Sequence, residues 1–290
     1  MKTIGLLTCA KIPDLLPYDQ QIAAMLGGDG YHVVPIVWDE RPLEDLFDDL
    51  SKADNLIVRT IWGYHEQAER YLHMLAYIEE AEIPIWNTVE VLRWNMDKKY
   101  LASLPDRGIP IVPTYYIQSS DQLEEVYTDS DWEHVVIKPT ISAGSKSTWR
   151  SHKDKLKEDQ SRLDLLIQES DFMVQPFLPE IIHDGEYSYL FFSNGYRYAV
   201  RKQPIEGDYR VQVQFGGNYQ IHQASREEWS QLSMIRDSLE LDFLYVRIDG
   251  VWLGSEFHVM EVEMIEPDLY LAVHPEGIEQ FAKAIMAKVE

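Results

Sequence analysis

Apolar residues in the first hundred positions follow two alternating periods. Ile4–Thr8, Tyr31–Trp38, Leu56–Val58 and Ile83–Trp86 are short apolar or β-rich runs. Between them, Tyr18/Ile22/Met25/Leu26, Leu43/Leu46/Phe47/Leu50 and Tyr71/Leu75/Ile78 recur at helical spacing, and the first stripe stops at Gly27-Gly28. This strand–helix rhythm predicts a parallel sheet covered on both faces. Ligands of such sheets bind beyond the carboxyl ends of the strands. Thr8–Lys11 and Arg59–Tyr64 are therefore candidate rim segments.

The pattern then changes. Asp97–Leu104 reads as a short helix, and Gly108-Ile109-Pro110 and Pro113 punctuate the chain. Tyr115–Ile117, a polar helix, the strand His134–Pro139, the small polar loop Thr140–Thr148, a helix through Leu156, Leu163, Leu166 and Ile167, and the strand Phe172–Gln175 predict a smaller α+β unit over about 110–175. Next, Glu186–Ser193 and Tyr196–Lys202 flank Asn194-Gly195, which predicts a hairpin closed by a type I′ turn. A helix through Trp229, Leu232, Ile235 and Leu239, the strands Leu244–Ile248 and Phe257–Val262, and a helix through Phe281, Ile285 and Met286 complete the chain, with no internal repeat or low-complexity tract.

Composition narrows the function classes. At 290 residues and 45% hydrophobic, the chain can bury a core. No run approaches the roughly 18 apolar residues of a membrane helix. The opening MKTIGLLTCAKIPDLL reads as a strand without a small-residue cleavage site, so a cytoplasmic enzyme is expected. One cysteine, Cys9, excludes an internal disulfide framework and a Cys-rich zinc site, and reads as a small buried residue. Lys+Arg number 26 against 49 Asp+Glu, a formal charge of −23, which argues against partners that are polyanions: no nucleic acid and no membrane. A phosphorylated ligand would need the few bases concentrated in one place.

Asp249 ends one late strand, and Glu261 and Glu263 share a face of the next. Three carboxylates there could bind Mg²⁺, which prefers oxygen ligands, or form a solvated acidic face. The alternation of acids with apolar residues over His258–Met264 favours the first, because charges on that side need compensation. Lys138 ends an apolar strand before the loop Ser142-Ala143-Gly144-Ser145, where it could hold a phosphate or stand as an edge-strand lysine. Arg201, Lys202 and Arg210 could neutralise phosphate or be surface bases. Gly144–Thr148 fails as a P-loop, since Ser145 and Thr140 replace the required glycines, and there is no GxGxxG after the first strand, no HExxH and no GxSxG.

In order and spacing these pieces resemble the ATP-grasp superfamily, most of all the branch with bacterial glutathione synthetase and the ligase that closes O-ureido-D-serine into cycloserine. The resemblance implies an α/β (α+β) ATP-grasp fold. A Rossmann-like parallel-sheet domain (1–96) would precede a small lid subdomain (97–176) and a C-terminal subdomain with the metal site (177–290), the last two clasping ATP. By the resemblance, NTVEVLRWNMDKKYL places Lys98, or its neighbour Lys99, on phosphate, and VVIKP places Lys138 on the α/β-phosphates. SAGSKST supplies a phosphate loop with Ser142, Gly144 and Ser145. MVQPFLPEI puts Gln175, Pro176, Phe177 and Leu178 at the adenine, and Glu186 falls near the ribose. Lys202 and Arg210 fall near the γ-phosphate and acyl-phosphate as catalytic bases, and Asp249, Glu261 and Glu263 form the metal site. Two departures stand out: Glu263 replaces the usual asparagine, and the phosphate loop keeps a single glycine.

The implied activity is an ADP-forming carbon–nitrogen ligase using ATP and Mg²⁺ (or Mn²⁺). A carboxylate becomes an acyl phosphate, which an amine or similar nucleophile captures. Positioning and charge neutralisation dominate such catalysis. The rivals are an intramolecular cyclo-ligase and a non-catalytic ATP-binding module. The expected partners are a small-molecule carboxylate and an amine, and a homo-oligomer is allowed. Substrate candidates are Arg59, Thr60, Trp62 and Tyr64 on the rim and Arg247 beside the metal strand; Trp62 and Tyr64 could equally pack the interdomain joint.

Overall fold

The computed structural model describes residues 1–144, 146–205 and 207–290. Strands β1 (Thr3–Thr8), β2 (His32–Val37), β3 (Asn55–Thr60) and β4 (Ile85–Trp86) alternate with helices α1 (Pro17–Gly28), α2 (Leu43–Leu50) and α3 (Ala68–Glu80). They form a parallel sheet in the order β2-β1-β3-β4. Every residue of β3 is buried, as befits a parallel strand between helical layers. Helix α4 (Val89–Met96), N-capped by the Thr88 hydroxyl, and a 3₁₀ turn (Lys98–Ser103) lead out of this unit.

Next come β5 (Tyr115–Ile117), α5 (Gln122–Ser130), β6 (His134–Pro139), β7 (Trp149–His152), α6 (Leu156–Leu166) and β8 (Phe172–Pro176), an antiparallel sheet ordered β5-β8-β6-β7. The chain continues through α7 (Glu180–His183), β9 (Glu186–Phe192), β10 (Arg197–Gln203), β11 (Asn218–His222), α8 (Arg226–Ser238), β12 (Tyr245–Leu253), β13 (Glu256–Glu263) and α9 (Glu276–Val289). Its five strands form an antiparallel sheet ordered β11-β10-β9-β12-β13.

Three features differ from expectation. β7 and β11 are edge strands, short and polar, and pairing on one side needs no apolar run. The hairpin joining β9 and β10 is present, but its turn is not type I′. Only Gly195 has positive φ (85°), and Phe192 pairs with Tyr196 across the three residues Ser193-Asn194-Gly195. The Asn194 side chain accepts from the Tyr196 amide, which stabilises this wider turn. Finally, the segment after Asp97, expected with the small unit, packs elsewhere: Tyr100, Leu101, Leu104 and Ile109 sit in the core of the five-stranded sheet.

The parallel and five-stranded sheets share one core. Ile4, Ile22 and Leu26 pack with Phe192, Tyr198, Tyr245, Phe281 and Ile285. Polar bonds fix the alignment. The fully buried Asn87 donates to the carbonyls of Tyr245 (2.9 Å) and Met264 (2.7 Å) and accepts from the Leu244 amide (2.6 Å). The Tyr245 hydroxyl meets the carbonyls of Val58 and Ile265, and Asn95 bonds both the Val262 carbonyl and the Met264 amide. These contacts hold the far end of β13 against the C-terminal ends of β3 and β4. Replacing Asn87 with Ala strands several buried backbone groups at once. We expect Asn87→Ala to lower unfolding free energy by about 2–4 kcal/mol in urea titration. A loss of under about 1 kcal/mol would show that the joint does not depend on this side chain.

Candidate active site

A cavity of about 610 Å³ opens where the three sheets meet. The parallel sheet contributes its rim: Lys11 after β1, and Trp62, Tyr64, His65 and Glu66 after β3. From the small sheet come Val136 and Lys138, which share a face of β6 by strand alternation, the loop residues Ser142 and Gly144, and Gln175–Leu178 at the end of β8. The five-stranded sheet adds Glu186 on β9, Lys202 on β10, Arg247 and Asp249 on β12, and Glu261 and Glu263 on β13. Ser145 lies outside the described residues.

Charge pairing organises the floor. Lys98 meets Glu261 at 3.1 Å and donates to the Ser142 carbonyl, so it ties β13 to the loop after β6. Lys99 turns outward to Asp171. A lysine pair that is ambiguous in the sequence is thus separated, one facing the cavity and the other the surface. Lys202 bridges Glu186 and Asp249, the latter at 3.4 Å. Arg247 bridges Asp249 (2.8 Å) and Glu263 (2.6 Å). The Ser188 hydroxyl adds a 2.6 Å bond to Asp249.

These pairs decide the protonation states. Burial alone would raise Asp249, but Arg247 and Lys202 outweigh it and hold the carboxyl below the usual range. Burial would lower Lys202, yet Asp249 and Glu186 keep it well above an ordinary lysine. Glu263 is pushed up to about 7 by burial, against the pull of Arg247. Lys138 differs from the other bases of the floor. Among the described residues no carboxylate pairs with it, and burial lowers its pKa while Glu261 partly restores it.

Other expected residues are placed less simply. Arg210 lines the cavity but is paired with Asp208 at 2.8 Å, and its hydrogen bonds hold that carboxyl down to about 2. Phe177 lies under the Arg150 guanidinium at 3.7 Å, and the Gln175 amide donates to Thr114. Trp62 lines the cavity and is 41% exposed. Thr60 bonds Thr8 across β1 and β3. Arg59 does not reach the cavity. It is buried beneath the rim in a 2.7 Å pair with Asp19, over Phe281, where it serves the joint. Sequence reasoning stopped short of His65, Glu66 and Glu266, which also line the cavity. Glu66 pairs with Lys146 at 2.6 Å, joining the rim to the loop after β6.

The oxygen donors of Asp249 and Glu261 lie opposite each other in the β12–β13 ladder, with Glu263 opposite Arg247, and this donor chemistry fits Mg²⁺. Each acid nevertheless faces a base, and among the described residues no three His, Cys, Asp or Glu side chains converge to hold a metal. The residue types fit the ion; their side chains are turned to Lys98, Lys202 and Arg247.

Comparison with known proteins gives two family matches. Residues 4–87 match the N-terminal domain of D-cycloserine synthetase DcsG, and residues 98–268 match the prokaryotic glutathione synthetase ATP-grasp domain. The chain is 27% identical to the cycloserine biosynthesis protein DcsG of Streptomyces lavendulae over 305 residues, covering 99% of this chain and 100% of that protein. Its structure is similar to a crystal structure of D-cycloserine synthetase DcsG, with TM-score 0.80, 22% identity, and 99% and 100% of the two chains covered. It is also similar to a D-alanine–D-alanine ligase from Bacillus anthracis, with TM-score 0.67, 14% identity, and 100% and 97% covered. Since the ATP-grasp match spans more than half of the residues, the chain belongs to the prokaryotic glutathione synthetase ATP-grasp family and is an ATP-dependent, ADP-forming carbon–nitrogen ligase.

Proposed function

We propose that this ligase transfers the γ-phosphoryl of ATP to a substrate carboxylate and that an amine then displaces the phosphate from the acyl phosphate. The observation that carries the reading is Lys138: a desolvated cation lining the cavity with no carboxylate partner among the described residues needs an anion from outside. A nucleotide phosphate supplies one. Lys98 and Lys138 would hold the phosphates beside Ser142 and Gly144. Gln175–Leu178 would receive the adenine, and Glu186 the ribose. Lys202 and Arg210 would offset charge on the terminal phosphate, which favours its transfer over adenylation.

Asp249, Glu261 and Glu263 would hold Mg²⁺, which when bound supplies neutralisation of the phosphate charge. Phosphates offer Lys98 and Lys202 an alternative partner to those acids. The Glu66–Lys146 pair would help keep water from the reactive acyl phosphate. The reading places the enzyme in the cytoplasm, where ATP is made. A second reading, an intramolecular cyclo-ligase of the cycloserine-forming type, is favoured by the match of residues 4–87 to a D-cycloserine synthetase domain.

The direct test is nucleotide product analysis against a panel of carboxylic acids with Mg²⁺. We expect ADP and phosphate, released only when an acid is present. A cyclo-ligase would need no added amine, and release of AMP and pyrophosphate would contradict the proposal.

Calorimetry tests the phosphate and metal assignments together. Lys138→Ala should weaken Mg²⁺-ATP binding by about ten- to a hundredfold, through loss of one charge-assisted contact. Excess chelator should weaken ATP binding to the unaltered protein, because the acids repel bare phosphates. Unchanged affinity in the variant would return Lys138 to an ordinary edge lysine, and unchanged affinity in chelator would sink the metal site.

A further inference from the structure

Asp249 sits in the charged floor of the cavity, and its two oxygens are not held alike. Oδ1 accepts from the Ser188 hydroxyl at 2.6 Å, and Arg247 Nε lies 3.0 Å from Oδ1 and 3.1 Å from Oδ2. Oδ2 also accepts from Arg247 Nη2 at 2.8 Å and meets Lys202, a residue of the cavity wall, only at 3.4 Å. The direction of the Ser188 bond is fixed, because an ionised carboxylate only accepts. Ser188 is fully buried and commits its one proton there. Its oxygen then accepts from the Tyr270 hydroxyl, 3.3 Å away. Burial raises the pKa of that phenol, so it keeps its proton at neutral pH. Tyr270, Ser188 and Asp249 form a one-way chain of hydrogen bonds that ends on one oxygen of the acid.

A second observation concerns the backbone. Tyr270 has a φ of 50°, in the left-handed region that residues other than glycine rarely occupy. Such strain persists only where the surroundings hold it, and it collects at functional sites. Here the Asp268 carboxylate accepts from the Tyr270 amide at 2.6 Å, and the Tyr270 carbonyl accepts from the amides of Val273 and His274. The conformation so held puts the ring 5.3 Å from the Arg247 guanidinium and the hydroxyl on Ser188. One strained residue therefore touches two of the groups that orient Asp249.

We propose that Ser188 and Tyr270 are positioning residues for the divalent ion: by anchoring Oδ1 of Asp249 they fix which oxygen of that acid is offered to it. The inference rests on the ligase reading and its metal site, and deepens both. Carboxylates that ligate metals are themselves held by hydrogen bonds, and losing such a partner weakens metal binding although every ligand remains. The chain also acts in series. Ser188 touches the acid, and the Tyr270 hydroxyl reaches it only through Ser188. Removing the Tyr270 hydroxyl therefore has no further effect once the Ser188 hydroxyl is gone.

The test is Mn²⁺ binding to the full chain with a non-hydrolysable ATP analogue, followed by electron paramagnetic resonance in Ser188→Ala, Tyr270→Phe and the double variant. Ser188→Ala should weaken Mn²⁺ binding by about ten- to a hundredfold. Tyr270→Phe, which keeps the ring against Arg247, should weaken it by about two- to tenfold. The double variant should match Ser188→Ala, and in excess chelator all three should bind the analogue within about twofold of the unaltered protein. Unchanged Mn²⁺ affinity in Ser188→Ala would overturn the positioning role. So would a loss of analogue affinity in chelator as large as the loss of Mn²⁺ affinity, which marks a merely structural effect. Losses that multiply in the double variant would overturn the series arrangement and with it the part given to Tyr270. If Ser188→Ala fails to fold, Tyr270→Phe decides alone, and unchanged Mn²⁺ affinity there overturns the proposal. No Mn²⁺ binding by the unaltered protein would sink the metal site of the ligase reading itself; equal binding by the unaltered protein and the variants would sink this proposal and leave that reading standing.

Discussion

Arg247 and Lys202 share one buried carboxylate, Asp249, and the cavity takes its form from that contact. Two cations and an acid buried on β10 and β12, with β9 between, are costly unless each is matched. Matching draws in Glu186 from β9 and Glu263 from β13, so four strands of one sheet are fixed in register around a line of charge. Lys98 extends the line through Glu261 to the loop after β6, which belongs to a different sheet. The groups that pair with one another along this line are those that the proposed function assigns to phosphates and a divalent ion.

Such a site needs its strands held firmly, and the joint beneath it does this with buried polar groups. Asn87, Asn95 and Tyr245 satisfy backbone groups at the end of β13, while Arg59 and Asp19 bury a further ion pair beneath the rim. Core residues from α1 and α9 close over them. The rim after β3 and the acids of β12 and β13 are consequently parts of one packed body, which holds the rim residues Trp62 and Tyr64 in fixed relation to the charged floor.

Much of this was legible in the sequence, for identifiable reasons. Parallel strands buried on both faces announce themselves as apolar runs, β12 does so as a further largely buried run, and β13 through alternation. The polar edge strands β7 and β11 carry no such signal, and Asn194-Gly195 marks a hairpin without fixing its loop length. Motif spacing brought Lys138, Lys202, Asp249, Glu261 and Glu263 to one cavity. Spacing could not distinguish Lys98 from Lys99, because that choice depends on where the 3₁₀ turn begins. Nor could it show that Arg59 is captured by Asp19 on α1, since that outcome depends on contacts made only when the sheets meet.

The central claim is that the terminal phosphoryl of ATP passes to a substrate carboxylate. It is tested most directly with an acid that elicits ADP release, labelled with ¹⁸O in that carboxylate. The attacking oxygen stays on phosphorus when the nucleophile displaces the acyl group. The account therefore predicts that one ¹⁸O appears in inorganic phosphate for each product formed. Unlabelled phosphate accompanying verified product would contradict it.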